Sequence, residues 1–386
     1  MTEYSFYPFK YKGGVQKVNE LDSRQLMFAV GGNVGNLAFQ YPMELLFDCE
    51  LKPWTEAIER HFLIVTGANW IEDKEKAPFN ELLFSKISEY DHVLLYGLGA
   101  QARLGTTPHE YSADLPASLT ARLYATAEKL NSIAVRDEFT AQVLKSLGVE
   151  NVHVLGCSSI FMNASPNIGA QVISKAIVAL NCSEQSIKVT LNEFTHNAKS
   201  RSLTSRDLNA NICFLKTRYS HYLLQGRHSI SCYYGESEKV GDVVAEFLSL
   251  EDADFYYECL RNRSVLFTDI PNWLSYYRTR ELVVGTRIHG AILALQAGTP
   301  TVLITHDSRT KGLSDVLCVP SIEAEKFAER QYTNKELLEI CAEQLVNFDQ
   351  NRQELAARWK IFIEENGFKV SKHLNGICNN RSEEGI

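Results

Sequence analysis

Residues 281–313 read ELVVGTRIHGAILALQAGTPTVLITHDSRTKGL. The apolar run Leu282–Val284 is short and stops at Gly285, so it reads as a strand buried on both faces. Gly285-Thr286-Arg287-Ile288-His289-Gly290 follows as the turn. Ala291–Ala297 is almost wholly apolar, which predicts a core helix, and Gly298 ends it. Pro300 introduces a second strand, Thr301–Thr305, leading into the turn His306-Asp307-Ser308-Arg309-Thr310-Lys311. Two parallel strands joined by one short helix are expected to be neighbours, with their C-terminal turns on one edge of the sheet. That brings Arg287, His289, His306, Arg309 and Lys311 together, beside the N-termini of two helices.

The residue types in these turns ask for an anion and a proton transfer. Helix N-termini offer free N–H groups and partial positive charge. Arginine meets planar carboxylate and phosphate with two parallel hydrogen bonds. Histidine moves a proton near neutral pH. Such turns can also satisfy themselves on neighbouring carbonyls, but five cationic or titratable side chains at two adjacent strand ends favour a site.

The same unit recurs upstream. Strands are predicted at Leu26–Val30, Phe62–Thr66, Val93–Tyr96, Ile133–Val135 and Val152–Leu155, each ending in glycine or a polar turn. After the turn-rich residues 163–169 come Lys188–Leu191, Ser229–Tyr233, Val265–Thr268, Leu282–Val284 and Thr301–Thr305. Short apolar strands alternating with helical patterns predict an α/β protein with parallel sheets covered on both faces. Two series of similar size predict two doubly wound domains facing a cleft, residues 1–168 and 169–345. Residues 346–386 are expected to form C-terminal helices that pack back across the domains, with a polar tail at 379–386.

Other turns are less specific. GGNVGN at 31–36 lets a ligand approach the backbone, and Asn33 or Asn36 could bond hydroxyls or merely shape the turn. GLGAQA at 97–102 matches a dinucleotide fingerprint formally, but residues 103–108 do not continue as a helix and no strand-end acid follows. It reads instead as a turn lining the cleft or as a tight strand exit. Glu236 and Glu238 could orient an arginine or simply face solvent.

Composition narrows the class. The chain has 386 residues, 45% hydrophobic and 22% charged, enough for two ordinary domains. Its net charge is −8 and it lacks a dense Lys/Arg block, which argues against nucleic acid as partner. Its nine cysteines are scattered, odd in number and without a C-x-x-C pair. That pattern reads as a reducing compartment, without a disulfide framework or a structural zinc. None is expected to be catalytic, because none lies in the basic turns. No stretch approaches the roughly 20 apolar residues of a spanning helix, and Met1–Tyr11 lacks an apolar leader core. A cytoplasmic protein is expected.

Trp273, GTRIHG at 285–290, the helix closing at Gly298-Thr299-Pro300, and ITHDSRTKGL at 304–313 look like the C-terminal signature of the polysaccharide pyruvyl transferase family. GGNVGN at 31–36, AVRDEFT at 134–140 with LKSLG at 144–148, and GCSSIF at 156–161 resemble its N-terminal turns, with Ser158 where proline is commoner. The resemblance covers roughly residues 25–320, through the order and spacing of several short motifs. It implies a fold resembling the two-domain GT-B glycosyltransferases. It also implies transfer of pyruvate from phosphoenolpyruvate onto a saccharide or lipid-linked sugar as a ketal, in exopolysaccharide or other cell-surface polysaccharide biosynthesis. Neither metal nor cofactor is implied.

The family's Arg-x-His element binds phosphoenolpyruvate, which carries over onto Arg287, Ile288 and His289. Lys311 followed by Gly312 departs from the family's pattern of a basic residue and then an acid. The reading makes His289 and Arg287 catalytic, with Arg287, Ile288, His289, Arg309 and Lys311 holding the donor. Asn33, Asn36, Gln101 and Arg136 are the candidates for the acceptor. Two rivals fit the same residues: a GT-B glycosyltransferase using a nucleotide-sugar donor, and a non-catalytic saccharide-binding paralogue.

Overall fold

The computed structural model describes residues 3–7, 14–56, 60–72, 87–194, 205–216, 220–236 and 248–378. Among them are twelve strands in two six-stranded sheets, every pairing parallel. The first holds β1 (Glu3–Tyr7), β2 (Glu50–Pro53), β3 (Phe62–Thr66), β4 (His92–Leu98), β5 (Ile133–Val135) and β6 (Val152–Val154), in the order β2-β1-β3-β4-β5-β6. The second holds β7 (Val189–Asn192), β8 (His221–Leu223), β9 (Ser264–Val265), β10 (Leu282–Gly285), β11 (Thr301–Thr305) and β12 (Ser321–Glu323), in the order β12-β11-β10-β7-β8-β9. These are the two doubly wound α/β sheets that the alternating pattern predicts.

Burial explains why the strands read as unbroken apolar runs. Ile64, Leu94, Tyr96 and Ala134 belong to one core, which also holds Trp359 and Phe362. Leu63, Val65, Leu95, Ile133 and Val135 belong to another, with Leu119, Leu123, Val143 and Leu144 of the helices Ala117–Lys129 and Glu138–Ser146. Alternate residues face opposite sides of a strand, and here both sides are covered.

The structure corrects the sequence reading in several places. Leu26–Val30 is not a strand but the end of the helix Ser23–Ala29. Asp22 accepts the Gln25 N–H at 2.7 Å and the Gln25 side chain accepts the Asp22 N–H at 3.0 Å, a capping box that starts the helix. Ser229–Tyr233 is likewise helical, within Arg227–Tyr233, and its strand lies upstream at β8. Both basic turns are shorter than expected. Arg287 is already the N-cap of the helix Ile288–Gln296, and Asp307 caps the helix Ser308–Leu317. The strands β1, β2 and β12 have no counterpart in the sequence reading. Glu238 and the tail at 379–386 lie outside the described residues.

The C-terminal segment joins the halves. The helix Asn334–Gln344 packs on β11. The helix Phe348–Glu365 crosses to the first sheet, where Trp359 Nε1 donates to the Leu155 carbonyl at 2.8 Å and the indole meets Tyr96 edge-on. Arg352, 1% exposed, donates to the carbonyls of Ile160, Ser165 and Asn163. The strand C-termini are also tied directly. Gln101 Nε2 donates to Asp307 Oδ2 at 2.7 Å, and Ala102 and Ser308 exchange two bonds of 2.9 and 3.0 Å.

Candidate active site

The order of strand addition reverses between β7 and β10. At such a switch point a crevice opens beyond the strand C-termini, and ligands bind there. Here Glu193 follows β7 and Arg287 follows closely after β10. The first sheet contributes the opposite wall. The cleft has a cavity volume of about 90 Å³. Asn33, Asn36, Ala68, Asn69 and Arg136 line it from one side, and Gln225, Arg287, Ile288, His289 and Arg309 from the other.

His289 is held in the first turn of the helix Ile288–Gln296. A side chain at the next residue, Gly290, would overlap the Asn192 amide, so glycine lets the helix N-terminus rest on the end of β7. The imidazole is 9% exposed and lies 5.6 Å from the Phe39 ring, centre to centre. Burial, reinforced by the charges of Arg136 and Arg309, pushes its pKa well below the usual value. His289 is therefore a neutral base at physiological pH.

Three guanidiniums surround it. Arg136, buried after β5, donates to Asn69 Oδ1 at 3.3 Å and to the Gly67 carbonyl at 3.4 Å, and packs over Phe39. Arg287 Nη2 lies 3.6 Å from Glu193 Oε1. Arg309 stands in the first turn of Ser308–Leu317. The Nε of each is buried without a hydrogen-bond partner. Orphaned buried donors are costly unless a ligand accepts from them, and three such donors can serve an anion with several oxygens. Two aspartates lie behind this wall. Asp307 accepts from Gln101 and from the Thr310 N–H. Burial works to raise its pKa, but Arg309, His306 and the hydrogen bonds from Thr310 together outweigh burial and hold it below the usual range. The Asp137 carboxyl, capping the helix Glu138–Ser146, is pushed up to about 6 by burial.

The structure brings most predicted residues to the cleft. Arg287, Ile288, His289 and Arg309 line it from one half, Asn33, Asn36 and Arg136 from the other. Asn33 Oδ1 accepts the Gly35 N–H at 2.7 Å, while Asn36 Nδ2 donates to the Val30 and Gly31 carbonyls. Gln101 is not among the lining residues, because both ends of its amide bond to Asn69 and Asp307. Lys311 is displaced too. The helix begins at Ser308, so Lys311 pairs with Asp315 one turn on, at 2.5 Å. His306 is fully buried behind the cleft, 3.6 Å from Asp307 and too far for a hydrogen bond. Glu236 turns away and accepts the Ser23 N–H at 3.0 Å.

Three residues escaped the sequence reading: Asn69, Glu193 and Gln225. The run Tyr222–Leu224 ending in Gln225-Gly226 carries the same strand-and-turn signal as the others. Placing the strand at Ser229–Tyr233 hides it. Cys157 is also closer than expected, with Sγ 3.8 Å from His289 Nε2. It lies outside the basic turns in sequence and beside one of them in space.

Fold and site define a two-sheet α/β protein with an arginine-lined cleft between its sheets. The model of the polysaccharide pyruvyl transferase family matches residues 40–308, and the chain belongs to that family. Membership associates it with the modification of polysaccharides. No curated protein sequence matches the chain significantly. Among solved structures, it is similar to a putative UDP-N-acetylglucosamine 2-epimerase from Listeria monocytogenes, at 11% identity over 94% of this chain and 97% of that one, TM-score 0.40. It is also similar to the UDP-GlcNAc 2-epimerase of Methanocaldococcus jannaschii, at 11% identity over 84% and 80%, TM-score 0.35. The wall teichoic acid polymerase TagF matches at 10% identity over 95% and 89%, TM-score 0.36. No described helix is long and apolar enough to cross a membrane.

Proposed function

We propose that the protein transfers pyruvate from phosphoenolpyruvate onto a saccharide as a ketal. One observation carries this reading. Three arginines, each with a buried Nε that has no partner, line one cleft with His289, whose imidazole is held neutral by burial. Phosphoenolpyruvate supplies what such a cleft lacks, a carboxylate and a phosphate on one small carbon skeleton.

His289 takes the proton from an acceptor hydroxyl as its oxygen attacks C2, and returns that proton to C3, which becomes the methyl group. The arginines hold the donor and stabilise the phosphate as its bond to C2 breaks. A second hydroxyl closes the ketal, and its proton leaves with phosphate. The acceptor enters along Asn33 and Asn36.

The test is a screen of saccharide and lipid-linked acceptors for phosphate release from phosphoenolpyruvate, with mass spectrometry for the ketal. In the same assay Arg287→Lys keeps the charge and loses the two-pronged geometry. Donor affinity should fall by about 1.5–3 kcal/mol. Unchanged affinity would remove Arg287 from the donor site. Binding of a uridine- or guanosine-diphosphate sugar with none of phosphoenolpyruvate would replace this reading with glycosyl transfer. Saccharide binding without phosphate release from any donor would mark a non-catalytic paralogue.

A further inference from the structure

Among the described cleft residues, Gln225 is the uncharged side chain with a buried polar atom that has no partner. It is 1% exposed and its position is fixed from three sides. Its N–H donates to Glu193 Oε2 at 2.5 Å, and its carbonyl accepts the Val34 N–H at 3.0 Å. Its Oε1 abuts Gly35, where a Cβ would approach to 2.6 Å. With Oε1 so placed, the amide nitrogen is the orphan. The Glu193 carboxylate that holds the Gln225 backbone also faces Arg287. Gln225 and Arg287 thus form one end of the cleft.

Arg136 and Arg309 form the other end: β11, which leads to Arg309, and β8, which leads to Gln225, lie on opposite sides of β10 and β7 in the sheet, and Gly312, one turn after Arg309, packs against Asp137 beside Arg136. His289 adjoins both ends: a Cβ at Gly35 would lie 3.5 Å from its Cβ, and the Phe39 ring that it meets also carries Arg136. The two ends differ in donor geometry. One guanidinium beside one amide matches the two oxygens of a planar carboxylate. Two guanidiniums from opposite domains match a tetrahedral group whose oxygens point in several directions.

We propose that Gln225 is a donor-binding residue, and that with Arg287 it holds the carboxylate of the donor while Arg136 and Arg309 hold its phosphate. This rests on the phosphoenolpyruvate reading and adds an orientation to it. The reactive carbons are then presented to His289 between the two ends.

Calorimetric titration of the full chain with phosphoenolpyruvate, inorganic phosphate and oxalate separates the ends. Gln225→Leu should weaken phosphoenolpyruvate and oxalate about ten- to hundred-fold, the usual effect of losing a hydrogen bond to a charged group. Inorganic phosphate should bind as before. Arg309→Gln should weaken phosphoenolpyruvate and phosphate but not oxalate. Gln225→Met keeps the length and removes the donor without adding charge, so it serves if the leucine variant does not fold, with the same pattern expected. Gln225 variants that bind all three anions normally overturn the proposal. So do variants that lose phosphate as much as phosphoenolpyruvate. If the wild-type chain binds phosphate and oxalate but not phosphoenolpyruvate, the donor reading falls and the same variants still decide the role of Gln225. A wild-type chain that binds none of the three overturns both.

Discussion

His289 joins the chemistry to the electrostatics at the scale of one residue. Replacing it by Gln keeps a hydrogen-bonding side chain and removes the base. The single-turnover rate of phosphate release should fall about 10²–10⁴-fold while phosphoenolpyruvate affinity changes little. A near-normal rate would make His289 a binding or structural residue. The same variant reports on stability. The folded imidazole titrates well below its ordinary pKa of 6.5, so the unfolded chain binds the proton more readily. Stability contributed by the neutral ring is therefore lost as pH falls through that ordinary value. Asp137 works in the opposite direction. Its folded pKa is raised to about 6, so its contribution is present in acid and lost as pH rises through 6. Subtracting the variant isolates the histidine. Between pH 7.5 and 5.5 the wild type should lose on the order of 1 kcal/mol relative to His289→Gln in denaturant unfolding. Equal losses in the two proteins would contradict the buried neutral imidazole.

The Asn33–Asn36 turn shows how an element shapes the site without chemistry of its own. Gly35 sits against Gln225 and His289 from the other half, leaving no room for a side chain. Gly35→Ala should push the Gln225 amide aside. Donor affinity should drop several-fold while the melting temperature moves little, because the neighbour is the end of a side chain. A large melting shift with normal affinity would mean the turn is structural only. Elements also divide what the sequence reveals from what it hides. β3, β4, β7, β10 and β11 are legible because burial on both faces leaves continuous apolar runs. Leu26–Val30 and Ser229–Tyr233 are illegible for the same reason, since five mostly apolar residues carry no period and caps decide the outcome. The charged turns show which residue types meet, but not the helix start at Ser308 that turns Lys311 toward Asp315. Cys157 and His289, far apart in sequence, meet only through tertiary packing.

Across the whole molecule, the crossing helix Phe348–Glu365 fastens the second half to the first. Arg352 is its deepest anchor, and burial lowers its pKa only to about 10, so it stays charged. Arg352→Met would strand three backbone carbonyls. It should reduce unfolding free energy by about 3 kcal/mol or more in guanidinium titrations, with per-molecule phosphate release unchanged in what remains folded. A loss under 1 kcal/mol would show that water replaces the guanidinium. The helix has a further consequence for synthesis on the ribosome. The first sheet is complete in sequence at β6, yet the indole that covers Leu155 and Tyr96 arrives about 200 residues later. At about 5–20 residues per second that is a wait of roughly ten to forty seconds. During it the emerging half displays an apolar face that chaperones bind, so its packing is completed only once the helix Phe348–Glu365 has left the exit tunnel.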